Sequence, residues 1–309
     1  MSKLVSVIMN CKNGEKYLRE SLNSVLNQTF KNWELIFIDN MSTDNSKKIF
    51  DQYKDERLKY FSTYKSLSLG GARQIALNHC KGEFIAFLDT DDIWFENKLE
   101  KQVPYFIDSK VGMVISNTIF FSNSKEKILF KKRPPTGYVL EELLKKYFIS
   151  LETLVCRREF IDKISFSFNT EFNMISDLDL TLRLAKISKL EYCPYLLAKW
   201  RIHKNSETWR KLNIFFTEKL QLHSELQNNT NFNNDKAIQY CLSIFRNNTY
   251  FSVIYNQIMN KDSKFDILVN LKKINIKNLK YYLTYLLINI PFNKTFIKLY
   301  KNFTQLRPK

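Results

Sequence analysis

The feature that most constrains this chain is an apolar run that ends in acid. Phe84–Leu88 (FIAFL) is followed at once by Asp89, Thr90, Asp91 and Asp92. Five consecutive apolar residues suit a strand buried on both faces, as in a parallel sheet covered by helices. A strand of that kind delivers the carboxylates to the carboxyl edge of the sheet, where ligands bind in open α/β folds. Three acids this close repel one another unless a counter-charge is present. Oxygen ligands select a hard divalent ion, so the string points to Mg2+ or Mn2+. The plainer reading is a polar turn in which Asp92 caps the next helix.

The residues before this run repeat a strand–helix rhythm. Leu4–Met9 is apolar and β-branched, and Leu18, Leu22, Val25 and Leu26 follow at helical spacing. Trp33–Ile38 is a second strand ending at Asp39, after which Asn40–Asp44 turns into a helix reaching Tyr53. Leu58–Phe61 is a short third strand, and a helix runs through His79. The pattern predicts a mostly parallel sheet wrapped by helices, with Asp39 and Asp89 at one crevice. Further on, Lys98–Ile107 reads as helix, Val111–Ser116 as strand and Ile119–Lys132 as a hairpin. Tyr138–Tyr147 reads as an amphipathic helix, Leu154–Cys156 as a strand, Asp177–Lys186 as a helix and Leu197–Ile202 as a closing strand. Neither GxGxxG nor GxxxxGK[ST] follows the first strand, which removes the two commonest phosphate-loop fingerprints.

Glycine is absent after Gly137, and beyond Ser206 the chain turns to Asn, Lys, Leu, Ile and aromatics. The expected organisation is therefore residues 1–206 as one α/β domain and 207–309 as a helical extension. With 309 residues, 44% hydrophobic and 15% aromatic, the chain can bury a large core and is not a disordered one. Forty-eight Lys+Arg against 31 Asp+Glu leave a net charge of +17, which favours anionic partners without choosing among them. Five scattered cysteines, none in CxxC, argue against a disulfide framework and a zinc site and fit a reducing cytoplasm. No signal peptide is visible, and the apolar run Tyr281–Phe292 is too short to span a bilayer.

Several ordered stretches carry a family likeness. Ser6–Ser46, Leu69–Gln102, Ser176–Ala185 (SDLDLTLRLA) and Trp200–His203 (WRIH) resemble successive motifs of the family 2 glycosyltransferases. The resemblance covers roughly residues 4–206. It implies the GT-A fold and transfer of a sugar, with inversion, from a nucleotide-diphosphate donor, here expected to be a UDP-sugar. It implies an acceptor hydroxyl on a glycan or lipid carrier, as in lipopolysaccharide, capsule or glycolipid synthesis at the inner face of the cell membrane.

Carried over residue by residue, Asp39 falls where the family contacts uracil, and a carboxylate there accepts the imide N–H. Arg73 falls in a loop that approaches the base and diphosphate. Asp89 and Asp91 match the Asp-x-Asp pair, the first toward ribose or metal-bound water and the second on the metal. Asp92 shares one of these roles. Asp177 falls at the general base, with Asp179 as the alternative. Two apart on a helix, they point to different faces, and only one can face the crevice. His203 matches a histidine that joins the metal or diphosphate site in some relatives. Two positions depart from the pattern. Ser176 stands where an acid is usual, and Lys12 stands where an aromatic often lies over the base; Lys12 is expected to reach a phosphate instead. The basic tail, with Lys272, Lys273, Lys277, Lys280, Lys298 and Lys301 among apolar residues, reads either as a solvated helical face or as a surface for anionic lipid.

Two other classes fit parts of the pattern. A nucleic-acid binder would explain the charge, but the basic residues are dispersed and no such motif occurs, so no nucleic-acid partner is expected. A nucleotidyltransferase would share the sheet and the metal carboxylates, but needs a Gly-rich loop that Asn10–Lys16 (NCKNGEK) does not supply.

Overall fold

The computed structural model describes residues 3–122, 125–164, 167–203, 206–233, 235–260 and 263–274. The chain divides into two compact units, Met1–Arg210 and Lys211–Lys309.

The first unit is built on one nine-stranded sheet whose strands lie in the order Leu58–Ser62, Trp33–Asp39, Val5–Cys11, Phe84–Phe87, Val155–Arg157, Val111–Phe121, Lys189–Arg201, Ile93–Trp94, with Glu126–Ile128 paired to Val111–Phe121. Its opening half is parallel: β1 (Val5–Cys11), β2 (Trp33–Asp39), β3 (Leu58–Ser62) and β4 (Phe84–Phe87). The helices α1 (Leu18–Leu26), α2 (Ser46–Phe50) and α3 (Leu69–His79) make the crossovers. Every residue of β2 and of β4 is buried. This is the physical reason both read as near-continuous apolar runs rather than alternating ones. Trp33, Phe37, Phe84 and Phe87 are among the largest fully buried side chains. Each contributes about 2–3 kcal/mol of hydrophobic stabilisation. Because β1 pairs parallel with both β2 and β4, Asp39 and Asp89 leave the sheet at the same edge.

The second half is mixed. β5 (Ile93–Trp94) is followed by α4 (Lys98–Gln102), and Pro104 tightens the continuation into a 3-10 turn, Val103–Ile107. β6 (Val111–Phe121) and β7 (Glu126–Ile128) form the expected hairpin, with Ile119 opposite Ile128. Then come α5 (Leu140–Lys145), a 3-10 turn at Leu151–Thr153, β8 (Val155–Arg157), α6 (Arg158–Lys163), α7 (Ser176–Ile187) and β9 (Lys189–Arg201). β8 runs antiparallel to β4 and β6, whereas β9 runs parallel to β6 and antiparallel to β5.

Several expected boundaries need correction. The helix expected to reach Tyr53 stops at Phe50, and the strand expected at Val111–Ser116 runs on to Phe121. The helix expected at Tyr138–Tyr147 stops at Lys145, so Tyr147 lies in the connection that follows. The closing strand starts eight residues before Leu197, at Lys189. Pro194 hid it. The register jumps from Ser116 opposite Cys193 to Asn117 opposite Leu196, so Pro194 and Tyr195 sit in an irregularity that spares the ladder a missing N–H.

The second unit is helical, with Leu212–Asn228, Lys236–Asn260 and Lys264–Leu271 as its longer described helices. Phe251, Ile254, Ile267, Leu271 and Ile274 form an apolar cluster within it. Among the described residues no helix is long and apolar enough to cross a membrane. Lys277, Lys280, Lys298, Lys301 and the run Tyr281–Phe292 lie outside the described residues.

Candidate active site

The loops after β1 and β2 are tied together where those strands end. The Asn13 N–H donates to Ser42 Oγ at 2.9 Å, and the Thr43 N–H donates to Asn13 Oδ1 at 2.7 Å. Asn13 and Met41 both take left-handed backbone, with φ of 57° and 60°. That conformation suits asparagine and is uncommon for methionine. It tightens the turn that carries Asp39. The buried Asp39 carboxylate accepts from the Ser42 N–H at 2.8 Å and from the Tyr60 hydroxyl of β3 at 2.7 Å. Burial, then the hydrogen bond to Asp39 and its charge, raise the Tyr60 phenol, so it stays a donor. Lys12 lies at the surface and donates to Ser66 Oγ at 2.8 Å.

The helix α3, rather than a loop, carries Arg73, and the side chain is 3% exposed. Its guanidinium bridges two distant elements, donating to Ser176 Oγ at 2.7 Å and to Asp89 Oδ1 at 3.4 Å. Ser176, the departure from the family pattern, is thus the partner that receives Arg73. The start of α3 is pressed against the segment that leads into α7. The Gly70 N–H donates to the Phe172 carbonyl at 2.8 Å, and Ser68 Oγ donates to the Thr170 carbonyl. A Cβ on Gly70 would lie 2.1 Å from the Asn169 carbonyl oxygen, so only glycine permits this approach.

Asp89 keeps 40% of its side chain open to solvent, yet the protein around it dehydrates the carboxyl. That effect raises its pKa. Arg73 opposes the rise, and the neighbouring charges of Asp91 and Asp177 add to it. Asp91 meets His203, with Oδ2 and Nε2 2.8 Å apart. The His203 ring lies against Tyr17, centroids 5.2 Å apart. Asp92 is 2% exposed and accepts from the Arg201 N–H at 2.9 Å. Burial, then the charges of Asp91, Glu152 and Asp89, push its pKa well up. It therefore anchors β9 rather than facing the crevice. Arg201 strengthens that anchor, donating from Nε to the Asp91 carbonyl at 2.8 Å and pairing with Glu20.

The two candidate bases separate. Asp177, in the first turn of α7, accepts from the Tyr147 hydroxyl at 3.2 Å, and its charge is felt at Asp89. Asp179 is fully buried and bonded to Arg183 within the same helix at 2.6 Å. The helix therefore offers Asp177 to the crevice and keeps Asp179 inside.

Among the described residues no group of three or more His, Cys, Asp and Glu side chains forms a ready cation cage. Asp91 and His203 do converge, and Asp89 is close enough for its charge to couple to that of Asp91. A carboxylate pair with one imidazole fits Mg2+ or Mn2+, which take one or two protein carboxylates and complete their shell with phosphate and water. Sequence reading passed over Tyr60, Tyr147, Glu152 and Arg201. Only Arg201 carried a signal, sitting inside WRIH; the others lie in stretches without a motif.

Solved structures share this architecture. The first 349 residues of S. aureus TarS, in complex with UDP-GlcNAc, superpose with a TM-score of 0.72 at 19% identity, covering 98% of this chain and 93% of that one. The mannosyltransferase PcManGT from Pyrobaculum calidifontis, in complex with GDP-Man and Mn2+, gives 0.59 at 16% identity, covering 98% and 88%. The fold is the GT-A fold of glycosyltransferases. A family model described as glycosyl transferase family 2 matches residues 6–164. An Escherichia coli relative, the UDP-Glc:alpha-D-GlcNAc-diphosphoundecaprenol beta-1,3-glucosyltransferase WfgD, is 33% identical over 205 residues, 66% of this chain and 79% of that protein. The putative teichuronic acid biosynthesis glycosyltransferase TuaG of Bacillus subtilis is 28% identical over 206 residues, 66% and 81%. The chain belongs to glycosyl transferase family 2, which decides between the three classes left open by its sequence.

Proposed function

We propose that this protein transfers a sugar, with inversion, from a UDP-sugar to a hydroxyl of a lipid-linked glycan in cell-surface polysaccharide synthesis. The observation that carries the reading is that the charge of Asp177, from α7, is felt at Asp89, whose partner Arg73 also holds the adjacent Ser176, beside the Asp91–His203 pair. Asp177 takes the proton from the acceptor hydroxyl as its oxygen attacks the anomeric carbon. The bond from that carbon to the diphosphate breaks in the same displacement, through an oxocarbenium-like state. Asp39 accepts the imide N–H of the base. Asp91, Asp89 and His203 are the residues that would hold Mg2+ or Mn2+, and such an ion would supply positive charge to offset that of the departing diphosphate. Arg73 is too deeply buried to clamp phosphate freely, and it holds Asp89 and the start of α7 in place.

The E. coli relative, a UDP-Glc:alpha-D-GlcNAc-diphosphoundecaprenol glucosyltransferase, supports both UDP-glucose as donor and an acceptor on a diphospholipid. Such an acceptor supports a working location at the inner face of the membrane. Residues 1–206 then carry catalysis, and 207–309, with exposed Lys272 and Lys273, serve the anionic surface or the acceptor. The test is a panel of nucleotide-sugars with Mn2+, read by UDP release, with alpha-D-GlcNAc-diphosphoundecaprenol as acceptor probe. Turnover of a UDP-sugar is expected. Release of pyrophosphate, or no release from any donor, would overturn the reading. Flotation with anionic liposomes, with and without the residues after Lys261, tests the membrane part.

A further inference from the structure

The hydroxyl that reaches Asp177 comes from a stretch to which no motif drew notice. Tyr147 lies between α5 and the turn at Leu151–Thr153, and its ring is half-buried. Its phenol oxygen is 3.2 Å from Asp177 Oδ2. An ionised carboxylate can only accept, so the phenol donates. Thr181, one turn along α7, has its hydroxyl 3.4 Å from the same phenol oxygen and donates to the Asp177 carbonyl at 2.8 Å. Tyr147 thus sits against both the side chain and the helical turn of Asp177. Burial first, and the charge of Asp177 next, keep the phenol protonated well above its ordinary range. Among the described residues no ion pair holds Asp177 in the way Arg183 holds Asp179. Without the phenol, an aspartate in a first helical turn would be free to change rotamer.

We propose that Tyr147 is a positioning residue for the transfer step: its hydroxyl fixes one carboxylate oxygen of Asp177 so that the other meets the acceptor hydroxyl. The inference rests on Asp177 being the base. A misplaced base costs rate rather than donor affinity.

The experiment uses the full chain with the UDP-sugar that turns over in the panel and the same diphospholipid acceptor. Tyr147→Phe is expected to lower kcat on the order of 10-fold to 100-fold, with donor KM and UDP affinity held within about twofold. Asp177→Asn/Tyr147→Phe is expected to be no slower than Asp177→Asn alone, because the phenol acts only through that carboxylate. 3-Fluorotyrosine at position 147, which keeps ring and hydroxyl, should retain most of the rate and reads the hydroxyl without a change of packing. Equal rates for Tyr147→Phe and wild type, additive losses in the double variant, or a fluorotyrosine protein as slow as the Phe variant would each overturn the proposal. If Asp177→Asn is inactive while Tyr147→Phe is unimpaired, the positioning role alone falls. If Asp177→Asn is fully active, the assignment of the base falls and this inference with it.

Discussion

The two halves of the catalytic sheet hold their functional groups by different means. In the parallel half, Asp39 is fixed by neighbours: the N–H three residues on and a tyrosine of the adjoining strand. Where the parallel half adjoins the mixed one, several groups are instead fixed from far along the chain. Asp91 meets His203 across 112 residues, Asp92 meets the Arg201 N–H across 109, and Arg73 meets Ser176 across 103. The first arrangement follows from a strand and its turn. The second exists only once α3, α7 and β9 have docked. The nucleotide contact proposed for the first and the reacting centre proposed for the second should fail differently when altered.

The largest expected effect tests the long-range half. Asp177→Asn should lose transfer by a factor on the order of 100 or more while UDP affinity stays as in wild type. Calorimetry with UDP beside a transfer assay checks both parts. A parallel loss of UDP affinity would mean that the two halves are not separable. Docking itself is probed by Gly70→Ala, since the added methyl collides with a backbone carbonyl rather than a side chain that can swing away. A loss of about 2–3 kcal/mol is expected from such overpacking, read as a lower midpoint in urea. If stability holds, the approach of the Asn169–Phe172 segment to α3 is looser than the geometry implies, and the long-range account weakens.

How much of this was legible in advance follows the same division. Asp39, Asp89 and Asp91 stand at the ends of strands whose apolar runs announce them, so residue type and order were enough. Asp177 and His203 were reached through resemblance to a family, not through any pattern in the residues themselves. Tyr60 and Tyr147 were out of reach, because a tyrosine in an unremarkable stretch gives no sign of the carboxylate it will meet in space. Arg73 was placed in a loop by the family resemblance, whereas the helical stretch read through His79 is what carries it, and Gly70 at its start allows a close contact with the Asn169 carbonyl. Pro194 masked half of β9 because a proline in a strand ordinarily argues against one.

A smaller effect is expected on the local half. Tyr60→Phe removes one of two hydrogen bonds on the Asp39 carboxylate and leaves the stacking of the ring on Phe37 in place. UDP affinity should fall about threefold to tenfold, the worth of one such bond, with kcat for transfer unchanged. An unchanged affinity would detach Asp39 from the nucleotide base, and a fall in kcat would show that the local half reaches into the chemistry.

The smallest effect lies beneath the mixed half, where Lys98 of α4 is fully buried. Its ammonium donates to Gln102 Oε1 at 2.6 Å and stands 4.3 Å over the Trp94 ring. The Gln102 amide in turn donates to the Thr153 carbonyl at 2.8 Å and the Val114 carbonyl at 3.3 Å. Burial pulls the Lys98 pKa down from 10.5 to about 7, against the opposing charges of Glu152 and Cys193. Between these two values the unfolded chain keeps a proton that the folded one has shed, so the contribution of Lys98 to stability rises with pH through that window. Below about 7 both states are charged, and the folded state bears the full cost of a buried ammonium. Lys98→Met bears no such cost at any pH. Its melting temperature relative to wild type should therefore be most favourable near pH 6 and should decline steadily toward pH 10. A constant difference across that range would mean that the ammonium holds its proton throughout. The polar layer joining α4 to β6 and the Leu151–Thr153 turn would then rest on a charged lysine, and the mixed half would owe its order to an ion as well as to its long-range hydrogen bonds.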